Sequence, residues 1–273
     1  MAKSNNPSVF FSIIIPSYND LGLLKQALDS VLWQSYKDVE IIIVDDSTTN
    51  EISEFIQYSN YADHICYFKN IPAKGAVQNW NYGLSLANGN YCILLHHDEY
   101  FSTNNILEEL FLKFKSDKYG CIVINKAFIR QGNLITMKFS PVAIQFIFSW
   151  VPSLLYVINI VGPCSCIAFR NSGSPKFDEN LQWVVDIDWY YRLFKLNKVL
   201  YINSLFMNST YGHVNQISKN IDIKIQEKLD MIYLRKRTNP FSYLQLIYFL
   251  RFAYKILANS FFKDSINPIY GKV

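Results

Sequence analysis

The densest group of metal-binding side chains in the chain is the run His96, His97, Asp98 and Glu99. It follows the apolar stretch "YCILL", which places these polar residues at the end of a buried strand. Carboxylate and imidazole ligands suit Mn²⁺ or Mg²⁺ when a diphosphate supplies further oxygens. We therefore expect Asp98 and His96 to ligate a divalent cation. The alternatives are an ordinary strand end, or a cap for a helix over 104–116, although "STNN" already offers such caps.

A second acidic pair, Asp45 and Asp46, follows the apolar run "VEIIIV" and precedes three hydroxyl residues. Adjacent carboxylates at a strand end are unfavourable unless hydrogen-bond donors or a cation bind them. They suit the hydroxyls of a ribose or the N–H groups of a base. The alternative is an Asx turn that caps a helix over 51–58.

A third acidic pair, Asp186 and Asp188, lies in "WVVDIDWYYRL", a helical pattern. Residues two apart do not share a helix face, so one carboxylate can enter a cleft while the other pairs with Arg192. The apolar neighbours of Asp186 raise the pKa of its carboxyl group and make it a better general base. The alternative is a pair of solvated helix acids. His213, in "YGHVNQIS", has no such context and alone is typical of a structural histidine.

The elements around these residues alternate as βαβαβαβ through about residue 98. Each strand is apolar throughout, as expected for strands covered on both faces, which predicts a mostly parallel α/β sheet flanked by helices. Such sheets bind ligands at the carboxyl ends of their strands. The clusters "PSYND", "DDS" and "HHDE" follow three of these strands, so they should meet at one edge.

The second half predicts a helix after residue 103, a strand pair over 119–139, and a helix pair over 142–162 broken at Pro152. A helix over 181–197, a strand over 198–203 and a helical tail follow. We divide the chain into a catalytic domain, 1–217, with halves 1–100 and 101–217, and a helical C-terminal extension, 218–273.

The composition limits the class of protein. The chain has 273 residues, 50% of them hydrophobic, enough for one large core and too apolar for disorder. A net charge of +4 is too weakly basic to indicate a nucleic-acid partner. We expect no signal peptide and no membrane span. The five cysteines lack zinc-site spacing, so we expect free thiols and a cytoplasmic location.

The motifs together resemble those of a known enzyme family. "SIIIPSYND" and "LKQALDSVLWQSYKDVEIIIVDDST" are similar to the opening of the family 2 inverting nucleotide-sugar glycosyltransferases, which have the GT-A fold. "GAVQNWNYGLSLANGNYCILLHHDE" resembles a helix and a strand that ends in the family's D-x-D-D motif. "GPCSCIAFR", "VVDIDWYYRL" and "YGHVNQIS" resemble later motifs.

The resemblance implies a role for individual residues. Asp186 is the general base, and a divalent cation between the two phosphates is held by Asp98, His96 and His213. The donor-binding residues are Pro16, Ser17, Tyr18, Asp45, Asp46, Asn79 and His97, of which Tyr18 stacks on the base. The implied reaction is direct displacement with inversion, from a nucleoside-diphosphate sugar, a UDP-sugar being favoured, to a saccharide hydroxyl.

Some residues depart from the family pattern. His96 and Glu99 replace the outer acids of the D-x-D-D motif, Val185 replaces the acid before Asp186, and Gly212 stands where the family often has arginine. These changes leave open an alternative, a sugar-nucleotide-binding module with weakened catalysis. A nucleotidyltransferase is disfavoured because no glycine-rich phosphate loop follows the first strand.

The tail alternates basic and bulky apolar residues at helical spacing. Such helices can lie on an anionic membrane surface, or they can pack on the catalytic core. The first reading predicts peripheral contact with the inner face of the cytoplasmic membrane and a lipid-linked saccharide acceptor. The resemblance also implies a role in bacterial cell-surface polysaccharide biosynthesis of the O-antigen or capsule kind.

Overall fold

A computed structural model of the chain describes residues 9–59, 64–130, 133–136, 140–210 and 222–261. The strands are β1 (Phe11–Ser17), β2 (Val39–Asp45), β3 (Ile65–Lys69), β4 (Tyr91–Leu94), β5 (Glu99–Phe101), β6 (Cys121–Arg130), β7 (Asn133–Thr136), β8 (Ile167–Arg170) and β9 (Val199–Thr210). The helices are α1 (Leu21–Leu32), α2 (Glu51–Tyr58), α3 (Ala76–Leu86), α4 (Ile106–Phe114), α5 (Pro141–Trp150), α6 (Val185–Leu196), α7 (Ile223–Arg237) and α8 (Tyr243–Phe261).

The first four strands of the sheet are parallel, in the order β3-β2-β1-β4. The central residues of β1, β2 and β4 are buried on both faces, as in Ile14 of β1 and Ile42 of β2, whereas the edge strand β3 is only half-buried. This burial explains why the strands read as continuous apolar runs, and it confirms the prediction for this part of the chain.

The second half of the sheet is mixed. The order continues β8-β6-β9-β5, with β7 beside β6. β8 runs antiparallel to both β4 and β6, while β6 and β9 are parallel. The α/β sheet flanked by helices is confirmed, and its parallel pairs are β1 with β2, β1 with β4, β2 with β3 and β6 with β9. The short strand β5 was not predicted, and it pairs Glu99 with Ser209 of β9.

Helix boundaries follow the local sequence in most places. Asp20 caps α1, since its carboxylate accepts a hydrogen bond from the Leu23 N–H at 3.0 Å. α3 ends at Leu86, and Ala87 is already extended. Gly89 packs against β1, where a Cβ atom would lie 2.6 Å from the Ser12 nitrogen.

The predicted break at Pro152 is confirmed. α5 ends at Trp150, and a 3-10 turn over Pro152–Tyr156 follows. Val142 and Trp150 of α5 are about four-fifths exposed.

The tail forms the two helices α7 and α8, as predicted. Arg251 of α8 is buried, and its guanidinium donates to the Glu227 carboxylate of α7 at 2.6 Å and to the Tyr156 carbonyl at 2.5 Å. On the exposed side α8 presents large apolar residues, among them Phe249 and Phe252. Within the described ranges, no helix is long and apolar enough to cross a membrane.

Candidate active site

The three polar clusters of the first half meet at one edge of the sheet, as predicted. The register pairs Ser17 at the end of β1 with Asp45 at the end of β2. Beyond β4, the Leu95 N–H donates to the Ile14 carbonyl at 2.8 Å, which keeps the chain beside β1. Nδ1 of His97 lies 3.2 Å from the carbonyl oxygen of Pro16. The run at 96–99 therefore stands next to the end of β1.

Asp45 is buried beneath this edge. Its carboxylate accepts hydrogen bonds from the Ser47 N–H at 2.8 Å and from the Tyr67 hydroxyl at 2.6 Å. The first bond is an Asx turn, the structural alternative considered for this pair. Burial and the bond to Asp45 raise the pKa of Tyr67. The expected contact of Asp45 with a donor stays a prediction.

Asp46 holds the loop that leads into α3. Its carboxylate accepts from the Asn70 side-chain amide at 2.8 Å, the Lys74 N–H at 2.9 Å and the Gly75 N–H at 2.7 Å. Gly75 has a φ of 84°, a conformation that favours glycine. Asn79 is buried beside this loop, where its side chain accepts from Asn70 at 2.8 Å and donates to the Val44 carbonyl at 3.0 Å. Its role toward a donor also stays a prediction.

Tyr18 stands at the mouth of this edge with a 40% exposed side chain. Pro16 and Ser17 before it are buried in β1. The next residue, Asn19, is tied to the β2 loop, since its N–H donates to the Ser47 hydroxyl at 2.8 Å and its side-chain oxygen accepts from the Thr48 N–H at 2.9 Å. These bonds fix the backbone next to Tyr18.

The run at 96–99 is organised by residues from other elements. The Ser165 hydroxyl accepts from the His96 N–H at 3.0 Å and donates to the Glu99 carboxylate. The His96 ring stacks on Trp80 of α3 at a centroid distance of 5.0 Å. Sequence reasoning missed Ser165 and Trp80, because each lies in an apolar pattern typical of a core. Burial lowers the pKa of His96 to about 4.

This run fits a divalent cation. One potential ligand atom from each of His96, Asp98 and Glu99 lies within 4.8 Å of the others. Nε2 of His96 is buried and has no hydrogen-bond partner among the described residues. Its imidazole is neutral at neutral pH, the form that binds metals. Burial and the nearby Asp98 raise the pKa of Glu99 to about 8. His213, the third predicted ligand, lies outside the described residues.

Lys126 of β6 is a site residue that the sequence analysis did not identify. Its ammonium lies within electrostatic reach of Glu99, Asp98 and Asp186, and burial lowers its pKa while these acids raise it. Its aliphatic stem passes so close to Gly162 that a Cβ there would lie 2.8 Å from the Lys126 Cδ. A lysine inside the apolar strand "CIVINKAF" was the available signal.

The two acids of α6 have different surroundings. The predicted pairing of Asp188 with Arg192 is confirmed, whereas the role of Asp186 as general base stays a prediction. Asp188 is buried, and its carboxylate accepts from the Tyr156 hydroxyl at 2.8 Å, Arg192 at 2.7 Å and Arg237 at 3.2 Å. The alternative of two solvated acids is wrong, because Asp188 is 1% exposed. Asp186 is half-buried, and burial raises the pKa of its carboxyl group to about 6, against the opposing effects of its own N–H and Lys126.

Comparison with solved structures shows that this fold has a known counterpart. The structure of Staphylococcus aureus TarS residues 1–349 in complex with UDP-GlcNAc superposes with a TM-score of 0.66, covering 97% of this chain and 76% of that one. The sequence identity is 14%, so this likeness shows the fold alone.

Comparison of sequences identifies the family. An uncharacterized glycosyltransferase of Rickettsia typhi is 27% identical over 262 residues, which cover 88% of this chain and 79% of that protein. The UDP-Glc:alpha-D-GlcNAc-diphosphoundecaprenol beta-1,3-glucosyltransferase WfaP of Escherichia coli is 34% identical over 125 residues, 44% of this chain and 49% of that protein. The model of the family described as Glycosyl transferase family 2 matches residues 12–171. Because this match covers more than half of the chain, the chain belongs to glycosyltransferase family 2.

Proposed function

We propose that the protein is an inverting glycosyltransferase that moves a sugar from a nucleoside-diphosphate sugar to a hydroxyl of a saccharide acceptor. The family supports sugar transfer, and the TarS complex with UDP-GlcNAc supports a UDP-sugar as donor. The observation that carries the proposal is the arrangement at one sheet edge. It combines an exposed aromatic ring at Tyr18, a group of potential cation ligands at 96–99 and the half-buried acid Asp186.

In this proposal the nucleoside lies across the ends of β1 and β2. Tyr18 stacks on the base, and Asp46 with the loop it holds lies beside the base and the ribose. Pro16, Ser17 and His97 form the floor beneath the sugar nucleotide. Asn79 acts through Asn70, because its own hydrogen bonds are made inside the protein.

The run at 96–99 lies where the diphosphate would leave. Asp98 and His96, with Glu99 beside them, would hold Mn²⁺ or Mg²⁺, and His213 is proposed as a further ligand. When bound there, such an ion would supply positive charge to offset the negative charge that develops on the leaving diphosphate. Lys126 supplies a second positive charge in the same region and keeps Asp186 more readily ionised.

Asp186 performs the proton transfer. Its ionised carboxylate takes the proton of the acceptor hydroxyl while that oxygen bonds to the anomeric carbon. The bond from the anomeric carbon to the phosphate oxygen breaks on the opposite face, and its electron pair leaves with the nucleoside diphosphate. One displacement inverts the configuration and needs no covalent intermediate on the protein.

For the acceptor we propose a lipid-linked saccharide in bacterial cell-surface polysaccharide biosynthesis. The name of the WfaP relative, which acts on a diphosphoundecaprenol-linked sugar, supports this class. So does the exposed apolar face of α8, next to Arg235 and Lys236 at the end of α7. These helices would contact the inner face of the cytoplasmic membrane. Sedimentation with vesicles of anionic lipid, compared with neutral lipid, tests this contact, and equal recovery in both supernatants would contradict it.

A second candidate is a sugar-nucleotide-binding module with weak catalysis, which His96 and Val185 favour. Product analysis separates the two. A transferase releases UDP with formation of a glycoside whose anomeric configuration is opposite to that of the donor, as NMR can show. A sugar-nucleotide-binding module with weak catalysis binds the donor but releases little UDP and forms little glycoside.

Calorimetric titration with UDP, GDP and dTDP, each in Mn²⁺ and in EDTA, tests the donor site. We expect one nucleotide to bind more tightly with Mn²⁺, and Asp98→Ala to remove the difference. Asp38→Ala, an exposed acid before β2, is the matched control. Failure of all three nucleotides to bind would overturn the proposal.

A further inference from the structure

The helix that carries Asp186 does not cap its own start. The residue before α6 is Val184, and its side chain makes no capping hydrogen bond. The backbone N–H groups just before the helix are bound instead by Asp230 in α7. One carboxylate oxygen of Asp230 accepts from the Trp183 N–H at 2.6 Å, the Val184 N–H at 2.9 Å and the Gln182 N–H at 3.1 Å.

The carboxylate of Asp230 is buried against the backbone that precedes α6. It is 1% exposed, so its carboxylate depends on protein donors rather than on water. Its second oxygen accepts from the Gln226 side chain at 2.9 Å and lies 3.3 Å from the Gln182 nitrogen. A carboxylate at a helix start is further stabilised by the helix dipole.

α7 also contacts the first turn of α6 at a second point. Arg237 donates to the Asp188 carboxylate at 3.2 Å and pairs with Asp178. The first turn of α6 is therefore held by contacts just before Asp186 and just after it.

We propose that Asp230 is a positioning residue for the transfer reaction, because it fixes the backbone two to four residues before Asp186. This inference rests on the proposed role of Asp186 as general base. It makes α7 part of the catalytic unit, although it lies in the region we divide from the catalytic domain and beyond the family match, which ends at residue 171. Asp230 itself takes no part in proton transfer.

The test compares Asp230→Asn with Glu227→Gln in the full chain. Both remove a buried charge from the same helix, but Glu227 faces α8 rather than α6. We expect Asp230→Asn to lower kcat by about 10²-fold, as a displaced catalytic group does, and to leave UDP affinity unchanged. Asp230→Glu should recover part of the loss. Glu227→Gln should keep the wild-type kcat once rates are corrected for the folded fraction.

Hydrogen exchange of the amides at 182–188 gives a readout that does not need activity. We expect faster exchange there in Asp230→Asn and unchanged exchange in Glu227→Gln. Unchanged exchange in Asp230→Asn, or a loss of kcat no greater than that of Glu227→Gln, would overturn the inference. If exchange accelerates while the wild-type protein transfers no sugar, the positioning contact stands and the proposed function fails.

Discussion

If Asp186 is the base, the rate of transfer should follow its ionisation. Burial disfavours the charged carboxylate and raises its pKa to about 6, so Asp186 is fully ionised, and able to accept a proton, only above that pH. About one carboxyl group in ten is ionised one pH unit below the pKa, so kcat should fall about tenfold from pH 8 to pH 5. Coupled detection of released UDP at saturating donor and acceptor measures this profile.

Lys126 provides an independent check on the same reasoning. Its positive charge lowers the pKa of Asp186, so Lys126→Met should shift the acidic limb of the profile to higher pH. Lys126→Arg keeps the charge and serves as the matched control. If the acidic limb of the kcat profile moves to lower pH in Lys126→Met, the charge of Lys126 does not lower the pKa of Asp186, and the reasoning is contradicted.

The decisive variant is Asp186→Asn. Removing a general base lowers kcat by roughly 10²- to 10⁴-fold, while calorimetric affinity for the nucleotide should remain. The residual rate should also lose its acidic limb. If the kcat of Asp186→Asn still falls at acidic pH with a pKa near that of the wild type, another group is the base. The assignment of Asp186 as general base is then wrong.

Four further predictions follow from the same edge of the sheet. Asp46→Ala removes the acceptor of two backbone N–H groups and one amide, so the free energy of unfolding in urea should fall by roughly 3–5 kcal/mol; Asp46→Asn should lose less. The pKa of Glu99 is raised to about 8 in the folded protein, whereas a glutamate in the unfolded chain has a pKa of about 4.3. Between these two pH values only the folded protein holds the proton. In EDTA, the contribution of Glu99 to the free energy of unfolding should therefore fall as the pH rises toward 8. Glu99→Gln should flatten that fall, and a steeper fall would contradict it. Tyr18→Ala should weaken UDP binding by about 1 kcal/mol without lowering the melting temperature, since the side chain is half-exposed. His96→Asp should raise the Mn²⁺ affinity of the nucleotide-free protein by about tenfold, measured by calorimetry; a lower affinity would show that the imidazole is the better ligand.

The parallel part of the fold could be predicted because its signal is local. β1, β2 and β4 are apolar runs that are largely buried on both faces, and the polar residues after Ser17, Asp45 and Leu95 mark where each run ends. The second half could not be predicted to the same degree. β5 is three residues long and exists because Glu99 pairs with Ser209, more than one hundred residues away. No local pattern carries that contact.

The site shows the same division between local and long-range information. Asp188 could be assigned a structural role from its spacing to Arg192 within one helix, and that pair forms. Lys126, Ser165 and Asp230 were missed, because each is a single polar residue whose meaning depends on elements distant in sequence. Asp230 faces the start of α6 from a helix that begins nearly forty residues later.

The replacement of an acid by His96 changes the electrostatics of the proposed metal site. A neutral imidazole in place of a carboxylate removes one negative charge, and the ammonium of Lys126 lies within electrostatic reach of the same group. Both effects weaken the attraction of the protein alone for a divalent cation. A bound nucleoside diphosphate restores the missing negative charge. Metal and donor binding should then be strongly coupled, and by linkage each ligand raises the affinity for the other by the same factor. The His96 substitution is thus compatible with a working transferase in which the ion and the donor bind together.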